Sequence, residues 1–429
     1  MNLYERAKQL IPGGTQLLSK RPELFLPDRW PAYYKTAKGT EVEALDGRRF
    51  VDVTLFGVGA CPLGYADPDV EAAVVDAVRA GSMCTLNAPE EVALAERLVA
   101  LHPWSEQVRY ARSGGEAMAI AVRVARAASG KDRVLFCGYH GWHDWYLAAN
   151  LADDAALDGH LLPALEPGGV PKSLAGSVVP FSDRVSFDAA ITKYDDVGVV
   201  VMEPARYAMP DDGYLEHVRA EAARIGAVLI FDEITAGFRM HVGGLHQRLG
   251  VAPDVAVFAK AMSNGYAMAA VIGRREVMEA VQSTFISSTY WTERIGPAAA
   301  LATIDKLERE EGPARMAAAG DRMRAGWLAA AEAAGLPIGT KGVAPLPSFT
   351  IEHDARAALA TLYTQWMLDE GYLASGAFYA TCAHDDATID RALEASEKCF
   401  TRMKEALDED EIEASLTGPV ASAGLRKSR

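Results

Sequence analysis

The sequence of 429 residues predicts an α/β fold whose core is a mostly parallel sheet. Three observations predict it. Val228-Leu229-Ile230-Phe231 and Val255-Ala256-Val257-Phe258 are short continuous apolar runs rich in β-branched and aromatic residues, as in strands covered on both faces. Further strand-like runs stand at 107–110, 134–137, 197–202 and 269–272, and a long helix-like stretch at 117–128 follows the first of them. Charged residues stand just past the runs: Asp232-Glu233 after the first, Lys260 two residues beyond the second, Glu203 after Met202. In open α/β sheets ligands sit outside the carboxyl ends of the strands, so these groups are expected at one sheet edge.

Composition sets the bounds. A chain of this length exceeds one ordinary core, so two lobes are expected. Hydrophobic content of 50% and charged content of 24% are those of a globular enzyme. A net charge of −15 argues against a nucleic-acid partner, which requires a basic face. The five cysteines (61, 84, 137, 382 and 399) are scattered, odd in number and without a CxxC pair, the usage of reduced thiols. The N-terminal run MNLYERAKQLIPGG lacks a signal-peptide core, and no apolar run approaches the ~20 residues that span a bilayer. A cytoplasmic protein without membrane partners is therefore expected.

Taken in order, Leu3–Leu10 predicts a short helix stopped by Pro12-Gly13-Gly14. Residues 41–53 hold two strand-like runs about Asp46-Gly47, a hairpin signal. Phe56–Gly59 and Pro62–Tyr65 read as a crossing into the larger lobe, their glycines serving either turns or close approach to a ligand. Asp69–Ala80 and Glu90–Leu101 have helical spacing. A strand Gln107–Tyr110 leads through Ser113-Gly114-Gly115 into a helix Ala117–Ala128. A glycine pair at a helix start exposes backbone N–H groups at the positive end of the helix dipole, which makes an anion seat; alone it is equally a turn. Val134–Cys137 leads into Gly138-Tyr139-His140-Gly141-Trp142-His143-Asp144, where the histidines raise a metal site, but no compact four-ligand set follows. The turn-rich passage Asn150–Val178 is of the long-loop kind that often carries function. Beyond it, Arg315–Ala334 is helical, Leu346–Ile351 a strand, Ala355–Glu370 a helix closed by Gly371, and Asp386–Leu407 the last long helix, with a fraying tail from Asp408. The expected domains are 1–55, joining the small lobe; 56–302, the large lobe; and 303–429, the rest of the small lobe.

The chemistry turns on Lys260 and Asp232. Burial disfavours a lysine's charge, and the neutral amine can attack an aldehyde to form a Schiff base. An aspartate nearby can keep a pyridine nitrogen protonated; together they are the protein's signature for pyridoxal 5′-phosphate. Taken singly, Asp232 reads as a helix N-cap and Lys260 as a surface lysine.

The neighbouring motifs decide between these readings. FDEITAGFR (231–239) followed by PDVAVFAKAMSNG (253–265) resembles the signature of the class III, ω-type aminotransferases, fold-type I enzymes that use pyridoxal phosphate, and within them the glutamate-1-semialdehyde aminomutase-like branch. The resemblance runs over about 11–403. It implies a large lobe with a seven-stranded, mostly parallel sheet sandwiched by helices, and a small α+β lobe from both termini. It implies catalytic roles for Lys260 and Asp232, and a cofactor-phosphate cup at Ser113, Gly114 and Gly115, where Gly115 stands in place of a usual threonine. Tyr139 and Ile234 are implied on opposite faces of the cofactor ring, His140 as an orienting group, Glu203 close to the cofactor, and Arg239 as an ion-pairing or gating arginine. It further implies a homodimer with shared sites, in which Thr292, or failing that Thr289, reaches the partner's cofactor phosphate.

The activity so implied is ping-pong transfer of an amino group from an amine donor to a carbonyl acceptor. Alternatives are an aminomutase, a racemase and, more distantly, a non-catalytic pyridoxal-phosphate-binding protein. Leu17 and Lys20 replace the serine and arginine usual in glutamate-1-semialdehyde aminomutases, and Ser375-Gly376-Ala377-Phe378-Tyr379 lacks the branch's glutamate. Lysine has no bidentate fork for a carboxylate, so that substrate is not expected. A polar carbonyl compound such as a keto-sugar suits the hydroxyl-rich 287–292 run.

Overall fold

The computed structural model describes residues 2–160, 162–163 and 165–422; Leu161 and Ala164 of the 150–178 passage and the tail beyond 422 lie outside the described residues. Seven strands form the sheet of the larger unit: β1 (Gln107–Ala111), β2 (Arg133–Cys137), β3 (Val178–Pro180), β4 (Val197–Met202), β5 (Val228–Asp232), β6 (Val255–Phe258) and β7 (Ala269–Gly273). Their order is β1-β7-β6-β5-β4-β2-β3, with β7 antiparallel to both its neighbours and the β6-to-β3 pairings parallel.

The continuous apolar runs are explained by cover on both faces. Val199, Val201, Ile230 and Val257 pack on one side with Ala117, Met118, Ala121, Val122 and Ala125 of the helix Gly114–Ser129. Val200, Met202, Leu229 and Phe231 pack on the other side with Leu215, Val218 and Ala222 of the helix Tyr214–Arg224. Successive strand residues face opposite ways, so each run must be apolar throughout.

Register then sets what lies at the edge. Cys137 pairs with Met202, Met202 with Phe231 and Asp232 with Val257. Gly138, Glu203 and Asp232-Glu233 therefore leave the sheet side by side. Because β7 is antiparallel, Ala111 pairs with Ala269 and Phe258 with Ala270, so Arg112-Ser113 and Lys260 leave at that same edge.

The chain divides into two compact units, 1–67 with 314–429, and 68–313. The boundaries fall some residues later than the sequence suggested, for local reasons. Tyr65 stacks on Phe56 (centroids 4.1 Å apart), donates to Asp52 (2.6 Å), and Pro62 accepts from the Cys382 N–H, which holds 56–65 in the first unit rather than in the larger one. The helix Ile295–Arg309 stays in the second, with Arg309 and Lys306 both paired to Asp69.

The first unit carries a four-stranded sheet, in which Tyr34–Lys38, Glu41–Ala44 and Arg49–Asp52 are antiparallel and Tyr372–Leu373 adds in parallel. A hairpin of Ile338–Lys341 with Ser348–Ile351 and the helices Gly312–Ala334, Arg356–Asp369 and Asp386–Asp408 complete it. Both termini thus build one small α+β unit. The expected fraying from Asp408 does not hold through 422: a short helix Ile412–Ser415 forms, Thr417 N–H and hydroxyl donate to Gln365, and Ser422 N–H donates to the Glu23 carbonyl. Among the described residues no helix is long and apolar enough to cross a membrane.

Candidate active site

Five segments of the larger unit converge at this edge. Lys260 follows β6 with φ +47°, a left-handed backbone that non-glycine residues adopt only where surroundings impose it. Its Nζ donates to Thr235 Oγ1 at 3.1 Å. The side chain keeps some solvent access while its amine lies deep among protein atoms, so the amine is desolvated yet reachable. That desolvation, with the Arg206 guanidinium second, pulls its pKa from 10.5 to about 8, against the opposing pull of Glu203 and Asp232.

Asp232 is almost fully buried. Its Oδ2 lies 2.8 Å from His140 Nδ1, and its Oδ1 accepts from the Ile234 N–H at 3.0 Å. His140 is equally buried, and its Nε2 lies 3.2 Å from the Cys137 carbonyl, so both ring nitrogens face acceptors. Glu233, the other half of the acid pair, points elsewhere. It accepts from the backbone N–H groups of Leu245 (3.1 Å) and His246 (2.8 Å) and lies 2.8 Å from His246 Nδ1. It ties down the loop after β5 and takes no place beside Lys260.

Gly138 turns at φ +114°, and a Cβ there would lie 2.6 Å from Glu203 Oε2, so only glycine lets the glutamate enter. Glu203 then accepts the Tyr139 N–H at 3.0 Å through Oε2 and pairs with Arg206 at 2.6 Å through Oε1. Arg206 also lies over the Tyr139 ring, 5.8 Å from its centroid.

The helix expected from Ala117 begins at Gly114, so both glycines lie in its first turn, where N–H groups have no intrahelical acceptor. Ser113 precedes it, exposed; Glu116 folds back to accept from the N–H groups of Arg112 (3.1 Å) and Ser113 (3.0 Å). Ile234 packs against this helix start: a Cβ on Gly114 would lie 2.9 Å from Ile234 Cδ1.

The structure thus gathers Lys260, Asp232, His140, Tyr139, Glu203, Ile234, Ser113, Gly114 and Gly115. Thr289 and Thr292 lie on an exposed turn, where Thr292 Oγ1 donates to the Thr289 carbonyl at 3.0 Å. Arg112 fastens that turn near the helix start by donating to the Trp291 (3.1 Å) and Glu293 carbonyls. Arg239 is 1% exposed and donates to the Thr235 carbonyl at 3.3 Å, which suits a structural arginine better than a gating one. Sequence reasoning missed Thr235 and Arg206, although Thr235 lies within the motif that singled out Asp232. His160, from the 150–178 passage, was missed too: its Nδ1 accepts from the Gly138 N–H at 3.2 Å, and burial lowers its pKa to about 4. Among the described residues no group of three histidine, cysteine or acidic side chains is placed to hold a metal.

Chemically, the edge offers a desolvated amine, a buried carboxylate at the same edge and a helix start whose first-turn N–H groups have no intrahelical acceptor. Those are the groups that pyridoxal 5′-phosphate needs for its aldehyde, its ring nitrogen and its phosphate.

Residues 27–338 match the family model described as aminotransferase class-III. A 3-aminobutyryl-CoA aminotransferase from Cloacimonas acidaminovorans is 33% identical over 377 residues, covering 85% of this chain and 86% of that protein. A glutamate-1-semialdehyde 2,1-aminomutase from Methanothrix thermoacetophila is 33% identical over 420 residues, covering 92% and 94%. The crystal structure of an omega-transaminase from Sphaerobacter thermophilus superposes with a TM-score of 0.82 at 24% identity, covering 94% of this chain and 97% of that one, a likeness of fold.

Proposed function

This chain belongs to the class-III aminotransferase family, and from that premise we propose that Lys260 and Asp232 are the centre of a pyridoxal-phosphate-dependent transfer of an amino group from an amine donor to a carbonyl acceptor. One observation carries the residue assignment: the Lys260 amine, its pKa drawn down to about 8, lies at the same sheet edge as the buried Asp232. When bound, pyridoxal 5′-phosphate supplies an aldehyde that captures amines and a ring that accepts the electron pair left on a deprotonated carbon.

The chain's own groups do the rest. Lys260 Nζ would hold the cofactor through its aldehyde and would carry the proton taken from the donor's amine-bearing carbon. Thr235 Oγ1 orients that nitrogen. Asp232, fixed by His140 and the Ile234 N–H, holds a proton on the ring nitrogen. Tyr139 and Ile234 would flank the ring, and Ser113, Gly114 and Gly115 would hold the phosphate. Glu203 positions Tyr139 and Arg206 through its two oxygens. A homodimer with shared sites is supported by the exposure of Thr289, Thr292 and the nearby Tyr290, which is 70% exposed. That the five cysteines form no disulfide with one another supports a cytoplasmic setting.

Lys260→Ala tests the assignment: folded variant protein should transfer no amino group from any donor, and wild-type-like transfer would sink it. A second reading, movement of the amine within one molecule, draws on the relative named as an aminomutase. Lys20 in place of arginine argues against that substrate, so glutamate 1-semialdehyde should react poorly; efficient formation of 5-aminolevulinate would overturn this.

A further inference from the structure

Gly115 leaves the anion seat without a side chain at the position where the related motif has threonine. The space is nonetheless filled. A Cβ on Gly115 would lie 2.8 Å from His143 Nδ1 and 2.9 Å from its Cε1, so an imidazole edge occupies the room of the missing side chain. That Nδ1 is buried and has no hydrogen-bond partner in the protein. Leaving a polar atom unpaired carries a cost, and this one lies against a helix start of the kind that seats anions, so an anion bound there would satisfy it.

The ring is held where it is. Gly141 turns at φ +101° and its Cβ position comes within 3.2 Å of Gly115 Cα, so the 141–143 backbone lies directly on the helix start. The His143 carbonyl accepts from the N–H groups of Tyr146 (2.9 Å) and Leu147 (3.1 Å), and its ring packs on Trp142 with centroids 4.4 Å apart. The carboxylate of Glu116 is engaged by the Arg112 and Ser113 N–H groups and does not cap the seat.

Resting on the reading that pyridoxal 5′-phosphate is the cofactor, we propose that His143 is a phosphate ligand of this site, its Nδ1–H donating where a threonine hydroxyl is absent. The two positions form a reciprocal pair: glycine at 115 makes room for the imidazole, and the imidazole replaces what glycine lacks. Burial lowers the His143 pKa, with Glu116 and Asp144 pulling the other way, so the ring favours its neutral form and can carry a single proton on Nδ1.

The test is equilibrium binding to the apo-protein, with pyridoxal 5′-phosphate and with pyridoxal, which has no phosphate, and with inorganic phosphate as competitor. His143→Ala should weaken pyridoxal 5′-phosphate roughly ten- to a hundredfold, the range for a hydrogen bond to a charged group, and leave pyridoxal unchanged. Gly115→Thr alone should also weaken it, since its Cβ collides with the ring, whereas Gly115→Thr with His143→Ala should recover affinity over His143→Ala alone. Where His143→Ala is unstable, His143→Asn, which keeps an N–H near Nδ1, should bind more tightly than His143→Leu, which fills the space without one. Equal loss for both ligands, or no loss, overturns the proposal. Failure of the wild-type apo-protein to bind pyridoxal 5′-phosphate overturns the cofactor reading instead.

Discussion

Desolvation of Lys260 has a consequence that can be read at a single atom. With its pKa at about 8 rather than 10.5, roughly a tenth of Lys260 is neutral at pH 7, about 300 times the fraction of an ordinary lysine. Pyridoxal followed by borohydride converts a neutral amine to a stable secondary amine, and peptide mass spectrometry then reads the yield at each lysine. In apo-protein, labelling at Lys260 should rise about tenfold per pH unit up to pH 8 and level off above it. Ordinary surface lysines, which titrate near ~10.4, should keep rising and serve as internal references. Arg206 is the second cause of the depression, so Arg206→Gln should move the Lys260 midpoint upward. A Lys260 profile that tracks the surface lysines, with a midpoint near 10, would refute the reasoning that links sheet-edge burial to reactivity.

Other outcomes follow from the same geometry. Below pH 8 folded and unfolded chains both carry Lys260 charged, and the drop from 10.5 to about 8 makes that cost the folded state roughly 3 kcal/mol; between 8 and 10.5 only the unfolded chain binds the proton, so wild-type stability climbs with pH. Lys260→Met, which gives up about 1 kcal/mol of hydrogen bonding to Thr235, should therefore be the more stable apo-protein at pH 7 by about 2 kcal/mol in denaturant titrations, and a gap that does not close by pH 10.5 contradicts this. Asp232→Asn should retain labelling at Lys260 but lose on the order of a hundredfold or more in transfer rate; near-normal steady-state rates would remove Asp232 from the mechanism. Glu233→Ala leaves the Leu245 and His246 N–H groups unpaired in the interior and should cost about 2–4 kcal/mol in unfolding free energy; a neutral effect would mean that the loop needs no anchor. Thr289→Ala with Thr292→Ala should weaken pyridoxal 5′-phosphate only under conditions where the protein is dimeric by sedimentation, and equal weakening of monomer would count against a shared site.

The parts of this site that were legible in the sequence are those that backbone rules enforce. Strands covered on both faces must be continuous apolar runs, and parallel pairing in register brings their ends level, so Glu203, Asp232 and Lys260 could be placed at one edge from Met202, Phe231 and Phe258 alone. Side-chain direction past the strand end follows no such rule. Glu233 looked equivalent to Asp232, yet its carboxylate serves the Leu245–His246 backbone. Arg206 comes three residues after Glu203 and is recruited by an ion pair that spacing does not announce. The units divide at 67/68 and 313/314 because Tyr65 is bonded to Asp52 and Asp69 is paired with Arg309, contacts that no local pattern announces. The tail from Asp408 looked polar enough to fray, but Gln365 supplies it with hydrogen bonds that no local pattern predicts.

Amino transfer by a cofactor held at Lys260 is read in the visible absorption of the protein reconstituted with pyridoxal 5′-phosphate, before and after adding glutamate and other amine donors. The wild type should show a visible band that bleaches with at least one donor and returns on adding a carbonyl acceptor, with no such cycle in Lys260→Ala. A band that forms in the wild type but never changes with any donor would contradict amino transfer, and absence of a band at saturating pyridoxal 5′-phosphate would contradict the cofactor itself.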